Sequence, residues 1–220
     1  PSVGLDSTQV GNIQRYLDAV RSNLLFAKSV LLVEGDAEEI LIPILVKKVF
    51  GLSLDELGIS LINIRSTGFE NVAILFHDNR IRKRCAIITD LDRAFIDVAE
   101  DILDSEDEIE AKKKALASQV AGLRREAALK LFCDGNQWLS AHFADHTFEV
   151  DFVAAGNAAA IVSVLGDVYK DPATIAMSKA DLESGDIERF GTRVLTMARN
   201  AGKGWFAIML GRMITPDSVI

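Results

Sequence analysis

Five acids stand where apolar segments end or begin: Glu34, Glu38, Asp90, Asp92 and Glu149. Carboxylates so placed can bind hard divalent cations or move protons. Glu34 closes Val30-Leu31-Leu32-Val33, a continuously apolar run that reads as a strand buried on both faces of a parallel sheet. Glu34-Gly35-Asp36 then turns the chain into residues 37–50, where Ile40, Leu41, Ile44, Leu45 and Val49 recur at helical spacing. A carboxylate ending a buried strand has no backbone donor assigned to it, and ligand crevices in open α/β sheets lie at such carboxyl ends. Glu38, in the first helical turn, can face the same crevice, although any acid there also gains from the helix dipole. Asp36 and Glu39 have the spacing of an N-cap and its capping box, and Pro43 predicts a kink.

A second apolar strand, Cys85-Ala86-Ile87-Ile88-Thr89, ends in Asp90-Leu91-Asp92. In extended chain residues two apart project to one side, so these carboxylates are expected to point together. Asp90 can also simply end the strand while Asp92 caps a helix. Glu34 at the equivalent edge of a neighbouring strand tips the balance to a metal site. Thr147 to Phe152 alternates apolar and polar and reads as a fourth strand, with Glu149 on the face that could add one more carboxylate. Near the end, Asn200-Ala201-Gly202-Lys203-Gly204 opens the last helix, Trp205 to Met213. A lysine there opposes the helix dipole unless an anion is bound, whereas the glycines and free amides suit a phosphate. It is no Walker A loop, since Met197 and Gly204 replace the required glycine and hydroxyl residue. His142 and His146 have a zinc-like spacing but lack a third ligand.

The elements that must position these groups follow from periodicity. An amphipathic segment within residues 1–27 is expected to connect to, and pack on, the first strand; residues 59–65 form another strand, and 69–77 a helix. Arg80-Ile81-Arg82-Lys83-Arg84 is a basic cluster that reads as a solvated face or a phosphate contact. Phe95, Ile102, Ile109, Leu116 and Leu123 recur every seven residues, predicting the seam of a helical pair, broken near Gly122. Glu108/Lys112 and Glu110/Lys114 are spaced to pair on its solvated face. Further helices are expected at 124–132, 138–143, 158–165, 177–182 and 187–199.

With 220 residues, 49% of them hydrophobic, the chain can bury one core and a smaller satellite. A net charge of −8 argues against a passive nucleic-acid binder, but not against a metal-dependent one, whose bound cations reverse the local sign. Cys85 and Cys133 make neither a disulfide framework nor a zinc spacing. The absence of a membrane-spanning run or leader predicts a soluble, cytoplasmic protein, and the opening Pro1 suggests a piece of something longer.

The order assembled here resembles the Toprim domain shared by topoisomerases, primases, recombination proteins and certain nucleases. It is most similar to the C-terminal region of the OLD (overcoming lysogenization defect) family endonucleases. The resemblance rests on Leu32-Val33-Glu34-Gly35 with Glu38, Ser66-Thr67-Gly68, Asp90-Leu91-Asp92, Thr147-Phe148-Glu149 and Gly202-Lys203-Gly204, and spans most of residues 28–213. It implies an α/β fold, a central parallel Toprim-type sheet flanked by helices with an inserted all-helical subdomain. The division it suggests is a connecting helix (1–27), a first Toprim part (28–95), the helical insertion (96–143) and a second part with further helices (144–220).

The implied activity is a two-metal DNA endonuclease using Mg²⁺ or Mn²⁺. In-line phosphodiester hydrolysis needs an activated water and charge relief at the leaving oxygen, which two ions about 4 Å apart provide. The resemblance assigns Glu34, Asp90 and Asp92 to one ion, Glu38 and Glu149 to the second, Lys203 to the developing charge, and Ser66 and Thr67 to phosphate contact. It also implies an N-terminal ABC-type ATPase partner and a homodimer in the full protein. The alternatives are a non-catalytic Toprim recombination scaffold, a primase, or a receiver-type phosphoacceptor domain using Asp90.

Overall fold

The computed structural model describes residues 4–16, 24–65 and 68–219. In chain order the elements are α1 (Ser7–Tyr16), β1 (Ser29–Val33), α2 (Asp36–Phe50), α3 (Leu54–Leu57), β2 (Ile59–Asn63), α4 (Glu70–Ala73), β3 (Arg84–Asp90), α5 (Glu106–Cys133) and β4 (Leu139–Ala144). An all-helical remainder follows: α6 (Phe148–Phe152), a π-type turn at Val153–Asn157, α7 (Ala158–Ser163), α8 (Leu165–Val168), α9 (Pro172–Leu182), α10 (Ile187–Ala201) and α11 (Lys203–Gly211). The strands form one parallel sheet in the order β2-β1-β3-β4, so the protein is α/β. Among the described residues no helix is long and apolar enough to cross a membrane.

The apolar runs that predicted β1 and β3 pair directly, Leu32 opposite Ile87. Val30, Leu32, Cys85 and Ile87 point into a core closed by Val72, Phe76 and Leu129. A second, larger core is built by α2, α6, α10 and α11, with Leu41, Val150, Val194, Met197, Phe206 and Leu210 buried together. α2 and α11 lie tightly side by side: a Cβ on Gly211 would come within 2.6 Å of Ile44 Cδ1. Pro43 lies inside α2, which continues past it to Phe50.

Several expected elements differ. Residues 138–143 are not a helix: 139–143 lie in β4, whose parallel ladder to β3 runs from Cys85 opposite Leu139 to Asp90 opposite Ala144. Residues 147–152 are not a strand but enter α6. Phe148 and Phe152 are four apart and stack at 6.2 Å, so alternation over so short a stretch also describes one helical face. The 95–123 heptad is not a seam. Residues 91–105 are largely irregular, α5 starts only where Ser105 and Glu108 close a capping box, and Ile102 is 94% exposed. Glu108 is thus used as a cap, and Lys112 pairs instead with Asp104 at 2.7 Å. Gly122 does not break α5, which runs 28 residues without interruption as the single helix between β3 and β4. α1 packs on α4, with Asn12 Nδ2 donating to Asn71 Oδ1 at 3.2 Å, and Leu24 of the same segment is buried with Val30 and Leu32 of β1; residues 17–23 lie outside the described residues.

Candidate metal centre at the rim of the sheet

β1 connects outward to β2 on one side and pairs with β3 on the other, so the carboxyl ends of β1 and β3 flank a topological switch point. A cleft of about 200 Å³ opens there. Its lining brings together Glu34 from the end of β1, Glu38 from α2, Asp90 and Asp92 from the end of β3, Glu149 from α6 and Lys203 from α11. All five acids singled out in the sequence, and the lysine, therefore share one cleft. Ser66 and Thr67 lie outside the described residues.

Local structure explains each placement. Glu34 leaves β1 beside Thr89, whose hydroxyl donates to Glu34 Oε2 at a long 3.5 Å. Gly35 leaves room for its neighbour: a Cβ there would stand 2.2 Å from Glu38 Oε2. The expected Asp36 cap does not form. Gly35 occupies the N-cap, and Asp36 and Glu39 both accept from Asn63 Nδ2 at the end of β2, at 3.1 and 2.9 Å. That buried amide holds both carboxylates and fastens α2 to the sheet, while Asp36 also lines the cleft. Asp90 and Asp92 do not reach the cleft as an extended pair, because Asp92 adopts a left-handed φ of 50°. Leu91 and Arg93 still donate to Ala144 and Asp145 carbonyls, so the turn occurs while the chain remains tied to β4.

Negative charge is concentrated in this cleft. Burial, then the Glu38, Asp92 and Glu149 charges, push the Asp90 carboxyl up to about 8. Glu38 is likewise raised, first by burial, then by Glu149 and Glu34, with its own backbone hydrogen bond and Lys203 opposing. Glu149 is buried, and its Oε1 has no hydrogen-bond partner among the described residues. Unpaired buried carboxylate oxygens are costly unless protonated or bound to a cation.

One residue of this cleft was not singled out in the sequence. Arg125, from α5, donates through Nη2 to the Asp90 carbonyl and to Asp92 Oδ2 at 3.2 Å, and its Nη1 lies 3.9 Å from Glu34 Oε2. Gln119, Gly122, Arg125 and Leu129 fall on one face of α5, and that face, not the apolar heptad, meets the sheet. The residue order of α5 carries no signal that Arg125, among its many polar residues, turns inward. Among the described residues, no three His, Cys, Asp or Glu side chains are set as they stand to hold a metal ion. The donor set nevertheless fits hard divalent cations: carboxylate oxygens without thiol or imidazole, one of them orphaned, with Arg125 occupying part of the space. His142 and His146 serve elsewhere. His142 contacts Ser140 Oγ at 3.1 Å, and His146 Nδ1 lies 2.8 Å from Asp151 Oδ1.

Comparison with known proteins adds the following. Residues 25–92 match the family model "Overcoming lysogenization defect protein-like, TOPRIM domain". The fold is similar to the C-terminal region of the Burkholderia pseudomallei OLD protein, with a TM-score of 0.62 and 24% identity over 88% of this chain and 91% of that one. It is also similar to the C-terminal region of the Xanthomonas campestris pv. campestris OLD protein, with a TM-score of 0.58 and 21% identity over 90% of this chain and 89% of that one. No curated protein matches the sequence.

Proposed function

We propose that this chain, whose residues 25–92 match an OLD-like Toprim family model and whose fold is similar to that of an OLD C-terminal region, is the nuclease part of a larger ATPase-nuclease, hydrolysing DNA phosphodiester bonds with divalent cations. The observation that carries the reading is the convergence of five carboxylates from four elements on one cleft, around an unpartnered Glu149 oxygen. Glu34, Asp90 and Asp92 would hold one Mg²⁺ or Mn²⁺, and Glu38 and Glu149 the second. Such ions polarise phosphoryl oxygens and lower the pKa of water.

The chain's own groups supply the rest. Lys203 stands in the first turn of α11, where its ammonium and the helix N-terminus together favour a phosphate and the charge developing on it. The Asn63 clamp on Asp36 and Glu39 fixes the start of α2, and with it the Glu38 carboxylate facing the cleft. Arg125 ties the Asp90 carbonyl and Asp92 together on the opposite wall. Ser66 and Thr67 would add hydroxyls toward the phosphate. We further propose a cytoplasmic location, an N-terminal ABC-type ATPase portion and a homodimeric full-length protein.

Plasmid nicking in Mg²⁺ or Mn²⁺ tests the activity. The account expects cleavage that falls at least ~100-fold in Glu34→Ala and in Asp92→Ala, as removing a key electrostatic group at a reacting centre does. Cleavage at the unsubstituted rate in both variants contradicts it. A second reading, a scaffold that does not cut, is favoured by Arg125 standing among the acids. It predicts no calorimetric Mn²⁺ binding despite intact carboxylates.

A further inference from the structure

A second cavity, about 380 Å³, abuts the carboxylate cleft and shares Asp92 with it. Its walls are one face of α5, including Lys114 and Ala115, and one face of α10, including Leu195 and Arg199; its floor is the loop carrying Arg93, Phe95 and Ile96. The floor and much of the walls are apolar, while three cations and one acid line it, in a chain whose net charge is −8. Lys114 does not pair with Glu110 as its spacing predicts, and among the described residues neither Lys114 nor Arg199 forms an ion pair, whereas Arg93 is held by Asp145 at 3.0 Å. Phe95 is locked in place: a Cβ on Gly191 would come within 2.9 Å of its ring, and His146 meets it edge-on at 6.0 Å between centroids. The result is a largely apolar trough with two unpaired cations, ending at the acid that lines the proposed phosphate site.

We propose that this trough binds the nucleic-acid strand beside the scissile phosphate, sugars and bases lying on Phe95, Ile96 and Leu195 and backbone phosphates on Lys114 and Arg199. Apolar platforms flanked by cations are the general solution for unpaired strands. An acidic amphipathic peptide would suit the same chemistry, but continuity with the carboxylate cleft through Asp92 favours a phosphodiester. The inference rests on the nuclease reading and specifies how its substrate is held.

Lys114 and Arg199 are exposed, so Lys114→Gln/Arg199→Gln removes charge without touching the core. Fluorescence anisotropy of a labelled single-stranded oligonucleotide, in Ca²⁺ and across 50–200 mM salt, reads the contact. Losing two phosphate contacts lowers the log–log salt slope by about 1.4, so that between these salts the unsubstituted chain loses about sevenfold more affinity than the variant. The same oligonucleotide in duplex form is expected to bind more weakly than the single strand. A variant with unchanged affinity and slope and intact calorimetric Mn²⁺ binding overturns the trough alone, as does an acidic peptide displacing no oligonucleotide while binding there. Failure of the unsubstituted chain to bind Mn²⁺ overturns the nuclease reading itself.

Discussion

Asp90 is where the chemistry of the cleft becomes measurable without a substrate. An aspartate in an unfolded chain titrates near pH ~4, whereas folded Asp90 is pushed up to about 8 by burial and by its acidic neighbours. Between those values the folded chain keeps a proton that the unfolded chain has lost, so stability falls as pH rises from about 4 to about 8. Glu38, also raised, adds to the same slope. Thermal melts in chelator are therefore expected to give a higher Tm at pH 6 than at pH 8, with a smaller difference in Asp90→Asn; an Asp90→Asn slope equal to the original contradicts the assignment. Arg125 and Lys203 both bring positive charge to this cluster, and Arg125 is the one placed 3.2 Å from Asp92 Oδ2 and 3.9 Å from Glu34 Oε2. Arg125→Ala is expected to destabilise the chain in chelator by about 1 kcal/mol, a Tm loss of roughly 2–4 °C at this chain length, since its partners are partly solvated. The loss should shrink when Mn²⁺ is added, because a divalent cation can take over as counter-charge. An equal loss in both conditions assigns Arg125 to packing only. The acids were legible in the sequence because each ends or opens an apolar run. Arg125 was not, because nothing within a helix tells which of its polar residues turns inward.

At the level of elements, α5 is the part that sequence periodicity described least well and that the cleft depends on most. Its heptad suggested an apolar seam, yet Leu116, Val120 and Leu123 are all more than a third exposed, and the buried face carries Gly122 and Leu129. A Cβ on Gly122 would stand 1.8 Å from the Leu91 carbonyl oxygen, so only glycine lets α5 lie against the Asp90-Leu91-Asp92 turn. Helix propensity alone would make Gly122→Ala stabilising by ~1 kcal/mol, whereas backbone overpacking costs about 1–3 kcal/mol. The expected outcome is a lower Tm together with weaker Mn²⁺ binding, and a higher Tm with unchanged binding contradicts the role given to the turn. The exchange of helix and strand around residues 138–152 has a related cause. β4 is half-exposed, so its pattern lacks the continuous apolar run that marked β1 and β3, while the alternation of Thr147 to Phe152 is also compatible with one turn and a half of helix. Glu149 reached the cleft all the same, because the site needs only that the chain after β4 return across the rim.

Across the whole molecule, a parallel sheet in the order β2-β1-β3-β4 gathers carboxylates from positions 34 to 149 at one switch point, which local sequence can suggest only through strand ends. Alternating apolar runs and helical periods foretold the α/β class and the first three strands. The relative placement of α5, α10 and α11 depends on packing between residues far apart, such as Gly211 against Ile44, and no short-range pattern encodes it. The central claim is that this rim is a binding site for divalent ions, and anomalous scattering from crystals soaked in Mn²⁺ tests it most directly. The account predicts two Mn²⁺ peaks in the cleft, one among Glu34, Asp90 and Asp92 and one beside Glu38 and Glu149, with Arg125 moved off Asp92. An empty cleft in saturating Mn²⁺, with Arg125 still bridging Asp92 and Glu34, would contradict it.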